Sequence, residues 1–510
     1  MLAKVLSASV IGINAIPVEV EIDISLGLPT VNIVGLADTA VQESKERVRS
    51  GITNSEFEFP LKRVVVNLAP ADIKKEGPVF DLPIALGVMA ATEQIPQERL
   101  EEYVIAGELS LTGEVRRVTG ALLIAICAKE LGKKGVILPK ENAREASIVD
   151  GVDVLAVSDL NQVVDFLRGK ISIEPQKQRI EILENGYFEP DFADVKGQEY
   201  VKRALEVAAA GGHNILLIGP PGSGKTMLAS RLPSILPTLD IEEAIEVTKV
   251  YSVAGMLKAE APLITVRPFR EPHHTISHAG LIGGGSHPRP GEVSLAHNGV
   301  LFLDEFPEFS KGVLQVLRQP LEEGRVTISR ASASLTYPAR FMLCAAMNPC
   351  PCGYLGDRVK QCTCSPHKVQ QYRSKISGPL LDRIDIHVEV PRLTKEELMR
   401  STEGEGSANI KRRIEVARAM QSERFNRKKT RSSLTNSQMK AREVKEFCRL
   451  TQNASAFLEA SIEKLGLSGR AFERVLKVAR TIADLAAEEV LDVEHIAEAV
   501  QYRSLDRQYL

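Results

Sequence analysis

The run NILLI at 214–218 leads directly into GPPGSGKT at Gly219–Thr226, and MLASRL follows with helical character. The octet fits the phosphate-loop pattern G-x-x-x-x-G-K-[ST], in the strand-before, helix-after context that the pattern needs. Gly219, Gly222 and Gly224, with Pro220, Pro221 and Ser223 between them, let backbone N–H groups close on phosphate oxygens. The start of the next helix adds the positive end of its dipole. Lys225 supplies a point charge for the β- and γ-phosphates, and the Thr226 hydroxyl suits Mg2+. No other feature constrains the chain as strongly. It demands nucleotide binding and a strand–loop–helix core.

The surrounding patterns supply that core. Val18, Val20, Ile22 and Ile24 alternate with Glu19, Glu21, Asp23 and Ser25, the period of a half-buried strand. Helix DTAVQESKERVRSGI, strand KRVVVNLAP, helix DLPIALGVMAATEQ, strand VIAGELS, helix ALLIAICAKELG and strand GVILP follow. Residues 1–170 therefore read as one α/β domain. Residues 171–190 are polar, carry two prolines and no clear period, and read as a linker. Over 191–395, strands NILLIGP, GVLFLDE, FMLCAAMN and IHVEV are separated by helices, which implies a parallel sheet. Helical periodicity dominates 396–510, giving an all-helical C-terminal domain.

Composition limits what such a chain does. Its 510 residues allow about three domains. Lys plus Arg total 64 against 66 Asp plus Glu, a net charge of −2, so any nucleic-acid surface must be a local patch. No apolar stretch nears the ~20 residues of a bilayer span. The opening MLAKVLSASVIGINAIP lacks a small-residue cleavage site. Four of seven cysteines crowd into 350–364, which is metal usage and not a disulfide framework. A cytoplasmic protein without membrane contact is expected.

Further residues carry chemistry. GVLFLDEF at 299–306 is an apolar strand ending in two acids. Asp304 would hold Mg2+ through water, and Glu305 would polarise the attacking water as general base. Asn348, closing FMLCAAMN, would orient that water or sense the γ-phosphate; a turn-forming Asn before Pro349 is the plainer alternative. Cys350, Cys352, Cys362 and Cys364 form C-x-C-x9-C-x-C, which suits a closed tetrahedral Zn2+ site. His367 could replace one ligand, and four free thiols in a loop are the alternative.

Together these pieces resemble the AAA+ ATPases. DFADVKGQEYVKRAL resembles that class's adenine-pocket segment, and SGPLLDRID its trans arginine finger, which implies that Arg383 enters a neighbour's site. LSGRAFERVLKVAR resembles the second sensor helix, implying that Arg470 meets the γ-phosphate from the lid. By spacing alone Arg470, Arg474 and Lys477 share one helix face, and a solvated stripe fits equally well. RPFREPHHTISHAGLIGGGSHPRPGEVSLAHNGVLFLDEFPEF, the CPCG after Asn348 and the region ahead of the ATPase resemble the magnesium-chelatase-like competence protein family (YifB/ComM). That similarity spans essentially the whole chain. It implies an ATP- and Mg2+-dependent homo-oligomer, a hexamer, acting as a DNA helicase that promotes branch migration during natural transformation. The motor subunit of a true magnesium chelatase, a protein-remodelling ATPase and a nucleotide-gated assembly factor are the competing readings.

KKEGPVFDLPIAL, GELSLTGEVRRVTGALLIA and GVILPKEN resemble the proteolytic domain of Lon protease, an α+β fold of the ribosomal S5 domain 2 kind. The family's nucleophilic serine falls at Val79 and its lysine at about Leu123, and neither side chain can do that work. A protease fold without protease chemistry is expected. Five of the nine histidines lie between His273 and His297; with Arg267, Arg270 and the GGG turn at 283–285 they read as an insertion lining a ring's channel.

Two segments are candidates for DNA. EEGRVTISRASASLTYPARF reads as a hairpin opposing Val326 and Ile328 to Leu335 and Tyr337, with Arg330 near its turn for sugar-phosphate contact. Residues 411–431 carry nine Lys or Arg against two Glu, with a solvated helix face as the alternative. With no Trp and 5% aromatics, base stacking is poorly supplied, so non-sequence-specific tracking of single-stranded or branched DNA is favoured.

Overall fold

Alternation at Val18–Ile24 builds the second strand of a hairpin, β1 (Leu2–Ile11) and β2 (Asn14–Ser25), with all four apolar residues buried. β3 (Thr30–Val34) and β4 (Arg63–Ala69) complete a sheet in the order β1-β2-β4-β3, in which only the β3–β4 pair is parallel. The apolar opening of the chain is therefore a strand. β5 (Tyr103–Ile105) is followed by the short antiparallel pair β6 (Glu108–Leu109) and β7 (Val115–Arg116). β8 (Gly135–Pro139) and β9 (Asp153–Val157) join β5 in a parallel three-stranded sheet, order β5-β8-β9.

The run VIAGELS, read as one strand, is two. Gly107 breaks it by turning its backbone to another segment: its N–H donates to the Val79 carbonyl and its carbonyl accepts from Leu82 N–H, both at 3.0 Å. A Cβ there would come within 2.9 Å of Val115, so the crossing needs glycine. Helices Thr39–Asn54 and Asp81–Ala91 supply the other half of this core, and helix Ala121–Glu130 packs in a second apolar cluster. Val79 is half-buried among apolar neighbours and Leu123 is buried.

The computed structural model describes residues 2–177, 190–258, 261–285, 288–329, 334–394, 399, 404–426, 435–465 and 468–503. These strands belong to one compact unit, Met1–Ile182 with Ala244–Ile264 and Ser329–Thr336; the second is Leu183–Glu243, Thr265–Ile328 and Tyr337–Leu510. The second is built on β10 (Ile215–Ile218), β11 (Phe269–Arg270), β14 (Val300–Leu303), β17 (Met342–Met347) and β18 (Ile386–Glu389). All five are parallel, in the order β11-β14-β17-β10-β18. Every residue of β10, β14 and β17 is buried, as central parallel strands covered on both faces require. Between β11 and β14 lies the small pair β12 (Gly283–Gly284) and β13 (Arg289–Pro290).

β15 (Arg325–Ser329) and β16 (Ser334–Pro338) form the expected hairpin, with Val326, Ile328 and Tyr337 buried. Helices Ser407–Asn426, Gln452–Leu465, Gly469–Leu485 and Val493–Gln501 make the C-terminal region helical. Their apolar faces share one core with the parallel sheet. Among the described residues no helix is long and apolar enough to cross a membrane.

Candidate functional site

The phosphate loop follows the C-terminal end of β10; the adjacent β17 delivers Asn348, and β14 beyond it Asp304, to the same edge. Gly222 and Gly224 have φ of 76° and 88°, and a Cβ on Gly219 would lie 2.2 Å from the Val390 carbonyl oxygen. All three therefore need glycine. Lys225 is 8% exposed; its Nζ donates to the Gly219 and Pro220 carbonyls at 2.8 and 3.0 Å and to Asn348 Oδ1 at 3.2 Å. Burial lowers the pKa of this ammonium, with Asp304 pulling the other way. A desolvated cation on loop carbonyls has much to gain from an anion. The Ser223 hydroxyl in the same loop is buried without a hydrogen-bond partner among the described residues, a further group suited to phosphate oxygens.

The metal side of the site is assembled as well. Thr226 Oγ1 donates to Asp304 Oδ2 at 2.6 Å, which puts the two expected Mg2+ ligands in contact. Asp304 Oδ1 accepts from the Glu305 backbone N–H at 2.8 Å. Glu305 has φ 50° and ψ 42°, an uncommon conformation for a non-glycine residue and one that clusters at active sites. Hard oxygen donors beside a buried lysine fit a Mg2+-bound nucleoside triphosphate, whose phosphate charge the metal and Lys225 would neutralise.

Two residues at this edge were missed in the sequence. His274 Nδ1 lies 3.2 Å from Glu305 Oε2, and its ring packs at a tilt of 34° against that of His273, centroids 4.1 Å apart. Of the histidines assigned to a channel, His274 thus sits against Glu305 and His297 is buried, accepting from Arg340 N–H; His287 lies outside the described residues. Glu271 is the second. Partial burial, with the Asp304 charge behind it, raises the pKa of its carboxyl. Only proximity in the fold, one strand over from Asp304, reveals either.

Arg383 and Arg470 lie elsewhere. Both line a cavity of about 580 Å3 walled by Asn214, Gly299, Met342 and Asp385, the N-terminal ends of the strands. Arg470 therefore does not face its own chain's phosphate loop, as the lid reading expected: helix Gly469–Leu485 docks at the opposite end of the sheet. Asp385 is the anchor. It pairs with Arg474, accepts from Asn214 N–H at 3.3 Å and lies 3.2 Å from His213 Nδ1, whose Nε2 meets Thr481 at 2.8 Å. Burial opposes its ionisation, but Arg474, ahead of His213 and Lys477, holds the Asp385 carboxyl well below the usual carboxylate range. Breaking such a buried pair costs about 3–5 kcal/mol. Arg383, 6% exposed, donates to Glu322 and to the Pro379 carbonyl, and its Nε is buried without a partner among the described residues.

The four cysteines converge. Their sulfurs lie within 4.8 Å of one another, with Cys350 at 3.4 Å from Cys352 and 3.7 Å from Cys362. A tetrahedral ZnS4 centre with ~2.3 Å bonds sets its sulfurs ~3.8 Å apart, so the cage fits the ion. Backbone N–H groups of Cys352 and Cys364 donate to the sulfurs of Cys364 and Cys362, each at 3.4 Å, and those of Thr363 and Tyr354 hold the Cys352 thiol down to about 5. His367, the alternative ligand, is exposed and stands outside the cluster.

The DNA candidates fare differently. Arg330 lies outside the described residues. In the basic run, Arg413 pairs with Glu206 and Glu405, Arg424 with Asp484, and Arg418 donates to the Ala209 carbonyl. Three of the nine cations thus serve packing, and residues 427–434 are not described.

Parallel sheet, phosphate loop, paired acids after β14 and a helical C-terminal region define an AAA+ ATPase. The family model described as "Magnesium chelatase, subunit ChlI" matches residues 191–398, "Subunit ChlI of Mg-chelatase" 20–142, and "Magnesium chelatase, subunit ChlI C-terminal" 404–503. Over 507 residues the chain is 45% identical to "Uncharacterized protein YifB" of Escherichia coli strain K12, covering 99% of this chain and 98% of that one. It is 44% identical over 513 residues to "Competence protein ComM" of Haemophilus influenzae, with 99% and 98% covered. The chain belongs to this magnesium-chelatase-like family of AAA+ ATPases, the one that holds YifB and ComM. A partial likeness to "Lon protease 2" of Bacillus subtilis, 26% over 183 residues, covers 33% of each chain.

Proposed function

We propose that this protein is a cytoplasmic, ATP-hydrolysing hexameric motor that acts on DNA and promotes branch migration when incoming DNA recombines. The observation that carries the reading is the split of the site across the parallel sheet. Lys225, Thr226, Asp304, Glu305 and Asn348 gather at one end, and Arg383 and Arg470 line a cavity at the other. Two arginines on the far side of a sheet cannot serve the phosphates of their own chain, so each copy completes the site of the next, and a head-to-tail contact of this kind makes a ring when its rotation closes.

Within one site, Lys225 holds the terminal phosphates, Thr226 and Asp304 hold Mg2+, Glu305 takes the proton of the attacking water and Asn348 orients that water. A neighbour's Arg383 and Arg470 stabilise the charge that grows on the phosphoryl oxygens. Zn2+ on the four cysteines is structural, and the domain with Val79 and Leu123 at the protease positions serves assembly or DNA contact.

DNA as the substrate is supported by the likeness to a competence protein over the full chain. The family descriptions favour one second reading, the motor of a magnesium chelatase. ATP turnover measured with single-stranded DNA, a branched junction and an unfolded polypeptide decides between the classes. Stimulation by DNA, strongest on the junction, is the expected result. Stimulation by the polypeptide alone, or by neither, overturns the DNA reading.

A further inference from the structure

The cysteine loop does more than follow Asn348 in sequence: it leans on the phosphate loop. Gly353, between the ligands Cys352 and Cys362, has φ 82°, and a Cβ placed on it would lie 2.6 Å from Pro221 Cδ and 3.8 Å from Asn348 Cγ. Its N–H donates to the Cys350 carbonyl at 2.9 Å, so its position is fixed by a ligand residue. A second strut runs through Asp357, whose 1%-exposed carboxylate sits 3.3 Å from Arg392 Nη2. That same nitrogen donates to the Pro221 carbonyl at 3.4 Å. Pro221 is thus held on its ring by Gly353 and on its carbonyl by Arg392. Asn348, which also touches Lys225, is two residues from Cys350.

Little else organises this loop. Residues 350–364 hold no helix or strand, and their Leu355 and Val359 side chains are exposed and not packed in a core. A segment without secondary structure or an apolar core needs another source of order, and four convergent thiols offer one.

We propose that Cys350, Cys352, Cys362 and Cys364 bind one Zn2+ whose function is to shape the phosphate loop, so that nucleotide affinity depends on zinc occupancy. The inference rests on the reading of Gly219–Thr226 as the nucleotide site. The ion fixes the turn bearing Gly353 and Asp357, and those two residues fix Pro221 at the mouth of the loop. Loss of the ion releases both struts and leaves Lys225, Thr226 and Asp304 chemically intact but poorly placed.

Elemental analysis of the full-length protein should give about one zinc per chain. Removing it with a zinc-selective chelator, with Mg2+ kept in excess, should weaken binding of a fluorescent ATP analogue by about tenfold or more. Adding Zn2+ back should restore it. Gly353→Ala tests the contact without touching a ligand: it should retain zinc and still bind the analogue more weakly, since the new methyl must displace Pro221. Protein that carries no zinc as purified and takes none up when Zn2+ is added would overturn the zinc site. Full affinity after zinc removal, or in Gly353→Ala, would overturn the coupling and leave the site standing. Equal binding by the parent and Lys225→Ala would instead strike the nucleotide reading itself, so the failures are separable.

Discussion

Lys225→Ala should abolish both nucleotide binding and turnover, whereas Glu305→Gln should bind ATP and keep it. The difference follows from what each side chain touches. Lys225 holds the phosphate loop through the Gly219 and Pro220 carbonyls and reaches Asn348, so its loss removes the charge for the phosphates and a brace of the loop together. Glu305 is 58% exposed and holds no part of the loop; its carboxylate meets His274 and its backbone N–H meets Asp304. Glutamine keeps the volume and leaves the Thr226–Asp304 pair in place, but it cannot accept the proton of the attacking water. Hydrolysis should therefore fall by about 10²- to 10⁴-fold, the usual weight of a general base. Equilibrium binding of labelled ATP and single-turnover hydrolysis on the same preparations check both halves. Hydrolysis by Glu305→Gln at the parent's rate would remove Glu305 from the role of base.

The parts of this site visible in the sequence are those whose chemistry is local. The phosphate loop is contiguous, and its strand β10 announces itself as an unbroken apolar run because both faces of a central parallel strand are covered. Asp304 and Glu305 end a similar run, and the cysteine spacing brings four sulfurs within 4.8 Å, as the pattern predicts. What stayed hidden depends on packing between distant segments. His274 and Glu271 gain meaning only because β11 lies beside β14 and so delivers the following loop to Asp304. Asp385 reads as one more acid in LLDRID until His213, Asn214 and Arg474 close around it from two distant segments. Charge runs mislead for the same reason: Arg413, Arg418 and Arg424 look free in the sequence and are committed to Glu206, the Ala209 carbonyl and Asp484 in the fold. The position of Arg470 is the clearest case. Helical periodicity identifies helix Gly469–Leu485, but which end of the sheet it covers is set by Asp385 and not by any pattern within the helix.

That position makes mixed assemblies informative. Arg383→Ala should lower ATP turnover by about 10³- to 10⁵-fold, as loss of an arginine finger does, with ATP binding preserved. Lys225→Ala is inactive for a different reason, since its phosphate loop is spoiled while its Arg383 is intact. In a head-to-tail ring of the two at equal ratio, about a quarter of the interfaces pair a sound loop with a sound finger, so activity should return in part. Arg470 sharpens the test. Its helix is tied to Asp385 at the arginine end of the sheet, so Arg470→Ala mixed with Lys225→Ala should recover activity in the same way. If Arg470 instead served the nucleotide of its own chain, every sound loop in that mixture would sit on a chain lacking Arg470, and nothing would return. Recovery with Arg383→Ala but not with Arg470→Ala would confine the trans role to Arg383. Recovery with neither, once assembly is confirmed by sedimentation, would remove the shared site altogether.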